Sequence, residues 1–202
     1  MKTAEVIRTR VRRAPAGSFF RPLDLPGPRA AVLTALSRLC AEGELIRVRN
    51  GLYWKGVRSH FGPGRPGLLD AAVKVAGGKG VGPAGWSATQ VLGLSTQLPA
   101  IPEVAVAGPT PSLKGVRFHR RNNVARWRLS FHEVALIEAL RDFPRHSEVG
   151  IDEVAWTVRR LRTDGKVDLS KVERVASFEH SRALHRNLES VLALLDTDRP
   201  AA

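Results

Sequence analysis

The sequence predicts an α+β fold in two parts: a small N-terminal domain of helices and one β-hairpin, then a mixed α/β domain ending in helices. Three observations carry that reading. A helix-period stripe over residues 28–41 is followed closely by Asn50-Gly51 between two apolar-rich runs, the strongest short-range hairpin signal. Residues 56–67 then hold Gly56, Gly62, Pro63, Gly64, Pro66 and Gly67, which punctuate the chain. Beyond them, short strand-like runs give way to long helical stripes.

Residues 1–14 read as a helix, with Val6 and Val11 apolar among Arg8, Arg10, Arg12 and Arg13, stopped by Pro15-Ala16-Gly17. Ser18 to Arg21 reads as extended, with a brief helical turn around Leu23-Asp24-Leu25, and Pro26-Gly27-Pro28 breaks it. The next helix, 28–41, begins on Pro28, where a missing N–H costs nothing. Its Val32, Ala35, Leu36 and Leu39 fall at i, i+3, i+4 and i+7 and form one buried stripe. Arg29, Ala30, Thr34, Ser37 and Arg38 lie off that stripe, and Gly43 suits the C-terminal cap. In the hairpin, alternation puts Ile46 and Val48 on one face and Arg47 and Arg49 on the other.

The expected domains are therefore 1–58, a linker over 59–67, and 68–202. In the second domain, 68–75 and 87–94 read as helices on either side of a Gly-rich break at 77–85. Residues 103–107, 115–119 and 126–129 read as strands. From Ser130 the chain is helical: Ser130 and Glu133 form the S-x-x-E capping-box pattern. Stripes at Phe131/Val134/Ile137/Leu140, Val154/Val158/Leu161 and Leu184/Leu188/Val191/Leu195 follow. No repeat of 20–50 residues is present.

The chain has 202 residues, 43% of them hydrophobic and 25% charged, enough for a packed core in one or two small domains. Its formal net charge is +13, which points to a polyanionic partner, with nucleic acid ahead of a ribosomal or membrane-surface setting. Residues 1–60 carry 12 Lys/Arg against 4 Asp/Glu, so the first third holds most of the excess. Arg outnumbers Lys throughout, which suits bidentate phosphate and guanine contacts and is also what a GC-rich genome produces. One cysteine, Cys40, leaves no internal disulfide and fits a reducing compartment. No apolar run approaches the ~20 residues of a membrane span and no signal peptide is visible. The expected location is the cytoplasm, with no membrane partner.

Helix, short helix, helix and charged hairpin, in that order, is the order of a winged helix-turn-helix. In that geometry the helix after the turn enters the major groove and its N-terminal residues meet base edges. Arg29 starts that helix. Arg38 lies two and a half turns on, in reach of phosphate. The DNA-binding candidates are Arg29, Thr34, Ser37 and Arg38 on the helix, with Arg47, Arg49, Asn50 and Lys55 on the hairpin. Tyr53 and Trp54 are expected to anchor the hairpin to the helices. Small winged domains also mediate protein–protein contacts, and Arg on a solvated face is compatible with both.

The segment from Gly27 to Tyr53, with its Arg29-Ala-Ala-Val-Leu-Thr-Ala-Leu-Ser-Arg-Leu39 helix and Gly43-Glu-Leu-Ile-Arg-Val-Arg-Asn-Gly-Leu-Tyr53, resembles the N-terminal domain of AbiEi-family antitoxins of type IV toxin–antitoxin systems. Ser87-Ala-Thr-Gln-Val-Leu-Gly-Leu-Ser-Thr-Gln-Leu-Pro99 is similar to a stretch in the shorter members of that family, with Ala88 where Gly is usual. The likeness spans residues 1–140 and does not extend to the rest. It implies a transcriptional autorepressor that binds repeats in its own promoter as double-stranded DNA. It also implies a nucleotidyltransferase-like toxin that the protein neutralises without a stable complex. No enzymatic activity and no cofactor are expected.

A second basic cluster, Lys114, Arg117, Arg120, Arg121, Arg126 and Arg128, holds no acid in its stretch of sequence. It reads either as a solvated strand-and-turn face or as an accessory surface for phosphate or RNA. The second option supports an alternative function, RNA binding or assistance to RNA modification. Other motifs fall away on chemistry. His180 and His185 lack the i, i+4 spacing of a zinc helix, and with one Cys no metal site is expected. Gly77-Gly-Lys-Gly80 lacks the leading Gly and the Ser/Thr of a phosphate loop. Asp164 to Asp168 reads as a turn and helix cap rather than a calcium loop. Cys40, beside the buried stripe, reads as packing.

Overall fold

The computed structural model describes residues 3–56, 58–59 and 62–197, with the backbone alone at 58, 59, 62 and 63. The fold is α+β, and the chain divides into two compact units, Met1–Lys74 and Val75–Ala202. The division falls inside helix α3 (Leu68–Ala76), a little beyond the Gly/Pro-rich stretch.

In the first unit, α1 (Thr3–Arg13) buries Ile7 and Val11, an i, i+4 pair, and Val6 lies only at the margin. β1 (Phe19–Phe20) leads into a 3-10 turn at Pro22–Asp24, then α2 (Arg29–Ala41), β2 (Ile46–Arg49) and β3 (Leu52–Trp54). The three strands form a sheet in the order β1-β3-β2, antiparallel throughout. The core joins Ile7, Val11, Val32, Leu36, Leu39, Leu45 and Tyr53, so the α2 stripe and the hairpin aromatic meet as the periodicity requires. Asn50-Gly51 turns the hairpin with positive φ at Gly51 alone. A type I′ turn needs positive φ at both central residues, so this is a different turn, and the register shifts between Arg47 and Arg49 to accommodate it. Part of the expected 59–67 linker is paired: β4 (Arg58–Ser59) runs antiparallel to β5 (Gly62–Pro63). Residues 57, 60 and 61 of this region, and 198–202 at the end of the expected second domain, lie outside the described residues, as do residues 1–2 of the first expected helix.

In the second unit a three-stranded sheet has the order β6 (Val81–Pro83), β7 (Glu103–Val106), β8 (Arg117–Arg120). β6 is antiparallel to β7, and β7 is parallel to β8. Helices α4 (Gly85–Leu92), α5 (Phe131–Asp142), α6 (Ile151–Thr163), α7 (Leu169–Ala176) and α8 (Arg182–Thr197) complete it. α5 is the central element, buried at every position from Glu133 to Leu140. The Ser130/Glu133 capping box is present at its start. β6 occupies what reads in sequence as a Gly-rich break. Gly82 is required there because a Cβ would stand 2.6 Å from Cβ of Val134 on α5. The expected strand 126–129 is instead a 3-10 turn at Val124–Arg128, started by the Asn123 side chain accepting from the Ala125 N–H. No helix among the described residues is long and apolar enough to cross a membrane.

Candidate nucleic-acid interface

The solvent face of α2 is the complement of its buried stripe. Arg29, Ala30, Leu33, Thr34, Ser37 and Arg38 are all exposed, at the i, i+3, i+4 spacing of a single helix face. No acid lies on it. Arg29 and Arg38 are nine positions apart, about 13 Å along the axis, comparable to the width of the major groove. Thr34 donates its hydroxyl to the Ala30 carbonyl at 3.0 Å, which leaves its oxygen as an outward acceptor. The first turn of α2 has no acid and Pro28 supplies no side-chain cap, so the free amides and the Arg29 charge reinforce one another there. Leu33, 38% exposed, is an apolar member of this face outside the candidate set. Its exposure follows from the period that defined the stripe.

At the hairpin, Arg47 and Arg49 are exposed and Ile46 and Val48 half-buried, the expected alternation. Arg47 donates to Asn50 Oδ1 at 2.6 Å, which fixes the tip side chains relative to each other. Tyr53 and Trp54 are buried. Lys55 needs correction as a DNA-binding candidate. Its Nζ donates to the carbonyls of Val11, Arg12 and Ala14 at 2.9, 2.7 and 2.6 Å. These are acceptors at the C-terminal end of α1, where a helix leaves carbonyls unpaired and favours a cation. The ammonium is spent on the fold. Glu42 and Glu44, beyond the end of α2, are paired with Arg8 and Arg12 at 2.8 and 2.6 Å. Burial pushes the Cys40 thiol up against the opposing charge of Arg47, which fits packing rather than reactivity.

The structure takes the 114–128 cluster apart. Arg126 is wholly buried, donating through Nη1 to Glu138 at 2.7 Å and through Nε to Glu179 at 2.6 Å. Arg121 donates through Nε to Glu138 at 3.0 Å, and Arg141 pairs with Glu179. Asn123 Nδ2 adds a hydrogen bond to Glu179 at 2.9 Å. Burial alone would raise the carboxyls of Glu138 and Glu179. The arginines around them outweigh it and hold both below the usual range. Arg126 therefore cannot contact nucleic acid, and Arg121 is committed to an internal pair. Arg117 lies 3.7 Å from Glu103. Lys114, Arg120 and Arg128 remain as exposed cations. The partners were hidden from a local window because Glu138 and Glu179 come from later in the chain. The one signal available was Glu138 itself, an acid inside the otherwise apolar run Val134–Leu140. Among the described residues no group of three or more His, Cys, Asp or Glu is placed to hold a metal.

No family model and no curated protein matches this chain. A crystal structure of the RV2827C protein from Mycobacterium tuberculosis is similar at a TM-score of 0.45 and 16% identity, over 100% of this chain and 83% of that one, a likeness too distant to carry any property across.

Proposed function

We propose that the first unit is a winged helix-turn-helix that binds duplex DNA, with α2 in the major groove and the β2–β3 hairpin as the wing. The observation that carries the reading is the acid-free outer face of α2, with Arg29 and Arg38 at its two ends and Thr34, Ser37 and Leu33 between. Arg29 reads a base edge. Arg38, Arg47 and Arg49 hold the backbone, and Asn50 sits at the wing tip. The element order and the β1-β3-β2 sheet support this assignment. On the AbiEi resemblance, the protein is a cytoplasmic autorepressor of its own operon and the antitoxin to a nucleotidyltransferase-like toxin, itself without catalysis or cofactor.

Titration of the full chain against duplex from its own promoter, over a salt series, tests the DNA reading. With three arginines on phosphate, the slope of log K against log salt is expected to be about −2.7, at about −0.9 per phosphate. Arg29→Ala should relax specificity at one position, costing about 1–3 kcal/mol there, whereas Arg49→Ala should weaken all sequences alike. A flat salt response, or equal and sequence-independent losses from the two variants, contradicts the placement of α2. Co-expression with the product of a neighbouring nucleotidyltransferase gene tests the antitoxin role separately.

A further inference from the structure

Two open hollows flank the loop that follows β7. One, about 250 Å³, is lined by Lys79, Val81, Pro109 and Trp127, and the other, about 500 Å³, by Arg120, Asn122 and Val124. Both include Ala107 and Gly108, so they adjoin at that loop, at the carboxyl ends of the parallel strands β7 and β8.

Trp127 is 54% exposed, yet it is held: its Nε1–H donates to the Ala107 carbonyl at 2.9 Å. An indole fixed by a hydrogen bond rather than by burial presents a ready π-face. Lys79 comes from Gly77-Gly78-Lys79-Gly80, where all three glycines have positive φ. Gly80 packs on the Trp127 turn so closely that a Cβ would stand 2.7 Å from the Arg126 carbonyl oxygen, which locks the lysine loop to the tryptophan. Lys79 and Arg120 are exposed and form no ion pair among the described residues. The nearby acid Glu138 is occupied by Arg121 and Arg126. The loop leads into a strand rather than a helix, so its lysine acts as a point charge and not as part of a phosphate loop.

We propose that the two adjoining hollows together bind a nucleoside phosphate, with the base stacked on Trp127 and the phosphates running from Lys79 across the Ala107-Gly108 loop to Arg120. Val81 and Pro109 line the Trp127 hollow beside the base, and Asn122 and Val124 line the Arg120 hollow. The same chemistry is presented by a free nucleotide and by the terminal nucleotide of a single strand.

Calorimetric titration of the full chain with ATP, UTP, inorganic tripolyphosphate and a thymidine hexanucleotide tests the site. Both nucleoside triphosphates should bind roughly tenfold or more tighter than tripolyphosphate, the difference being the stacked base. Trp127→Ala should erase that advantage and leave tripolyphosphate binding intact, Trp127→Phe should keep most of it, and Lys79→Ala and Arg120→Ala should weaken all three. A hexanucleotide that binds more tightly than ATP with the same Trp127 dependence assigns the site to a strand end. A weaker one assigns it to free nucleotide. Equal binding of ATP and tripolyphosphate, an unchanged Trp127→Ala variant with parental melting temperature, or no binding at millimolar nucleotide overturns the proposal.

Discussion

Lys55 and Arg126 are cations that a charge count assigns to a partner and the fold assigns to itself. Lys55 serves three carbonyls at the end of α1, and Arg126 joins two buried carboxylates. Lys55→Met keeps the aliphatic stem and removes the ammonium. Hydrogen bonds from a charged donor contribute about 1.5–3 kcal/mol each, so the melting temperature of this variant should fall by several degrees. Its salt slope on DNA should equal that of the parent. A reduced slope with unchanged melting would return Lys55 to the interface. Arg29, Thr34, Ser37 and Arg38 were legible because a helix face follows from period alone. Lys55 and Arg126 were not, because the Lys55 acceptors lie more than 40 residues away and the Arg126 acceptors, Glu138 and Glu179, lie 12 and 53 residues away.

Elements with a local chemical signature were readable, and those specified by packing were not. α5 declares its start through Ser130 and Glu133, and the hairpin declares its turn through Asn50-Gly51. Arg126-Trp127-Arg128-Leu129 alternates like a strand, but Asn123 caps it into a 3-10 turn and the Arg126 side chain runs inward. Val81-Gly82-Pro83 reads as a break because Gly and Pro dominate it, yet it is a strand whose glycine exists for the sake of α5. Gly82→Ala should therefore cost about 1–3 kcal/mol by overpacking, read as a lower urea midpoint. An unchanged midpoint would show that β6 and α5 separate easily.

At the scale of the molecule, basic side chains take two kinds of place: outward ones, as on α2, the hairpin and at Lys79, Arg120 and Arg128, and inward ones paired with Glu138 and Glu179. The inward set gives the protein an acid limit. Both carboxyls sit below their ordinary value in the fold, so the stability they add is complete above roughly pH 4.3, the unfolded glutamate value. It is lost as the pH falls through their folded values. Urea midpoints should hold from neutral pH to about pH 5 and then decline. In Glu138→Gln the overall midpoint should be lower and the decline shallower. An acid decline identical to the parent's would place the acid sensitivity elsewhere.

The Glu133 carboxylate closes more than its own capping box. It accepts the Ser130 N–H at 2.6 Å, the Asp168 N–H at 3.1 Å and Lys171 Nζ at 3.1 Å. One side chain thus satisfies the N-cap amides of two helices, α5 and α7, the second of them 35 residues beyond Glu133 along the chain. Neither amide can be released to water by fraying of its own helix end while that carboxylate stays in place. Deuterium should then enter Ser130 and Asp168 through a single shared opening, with matched protection that falls together in Glu133→Gln.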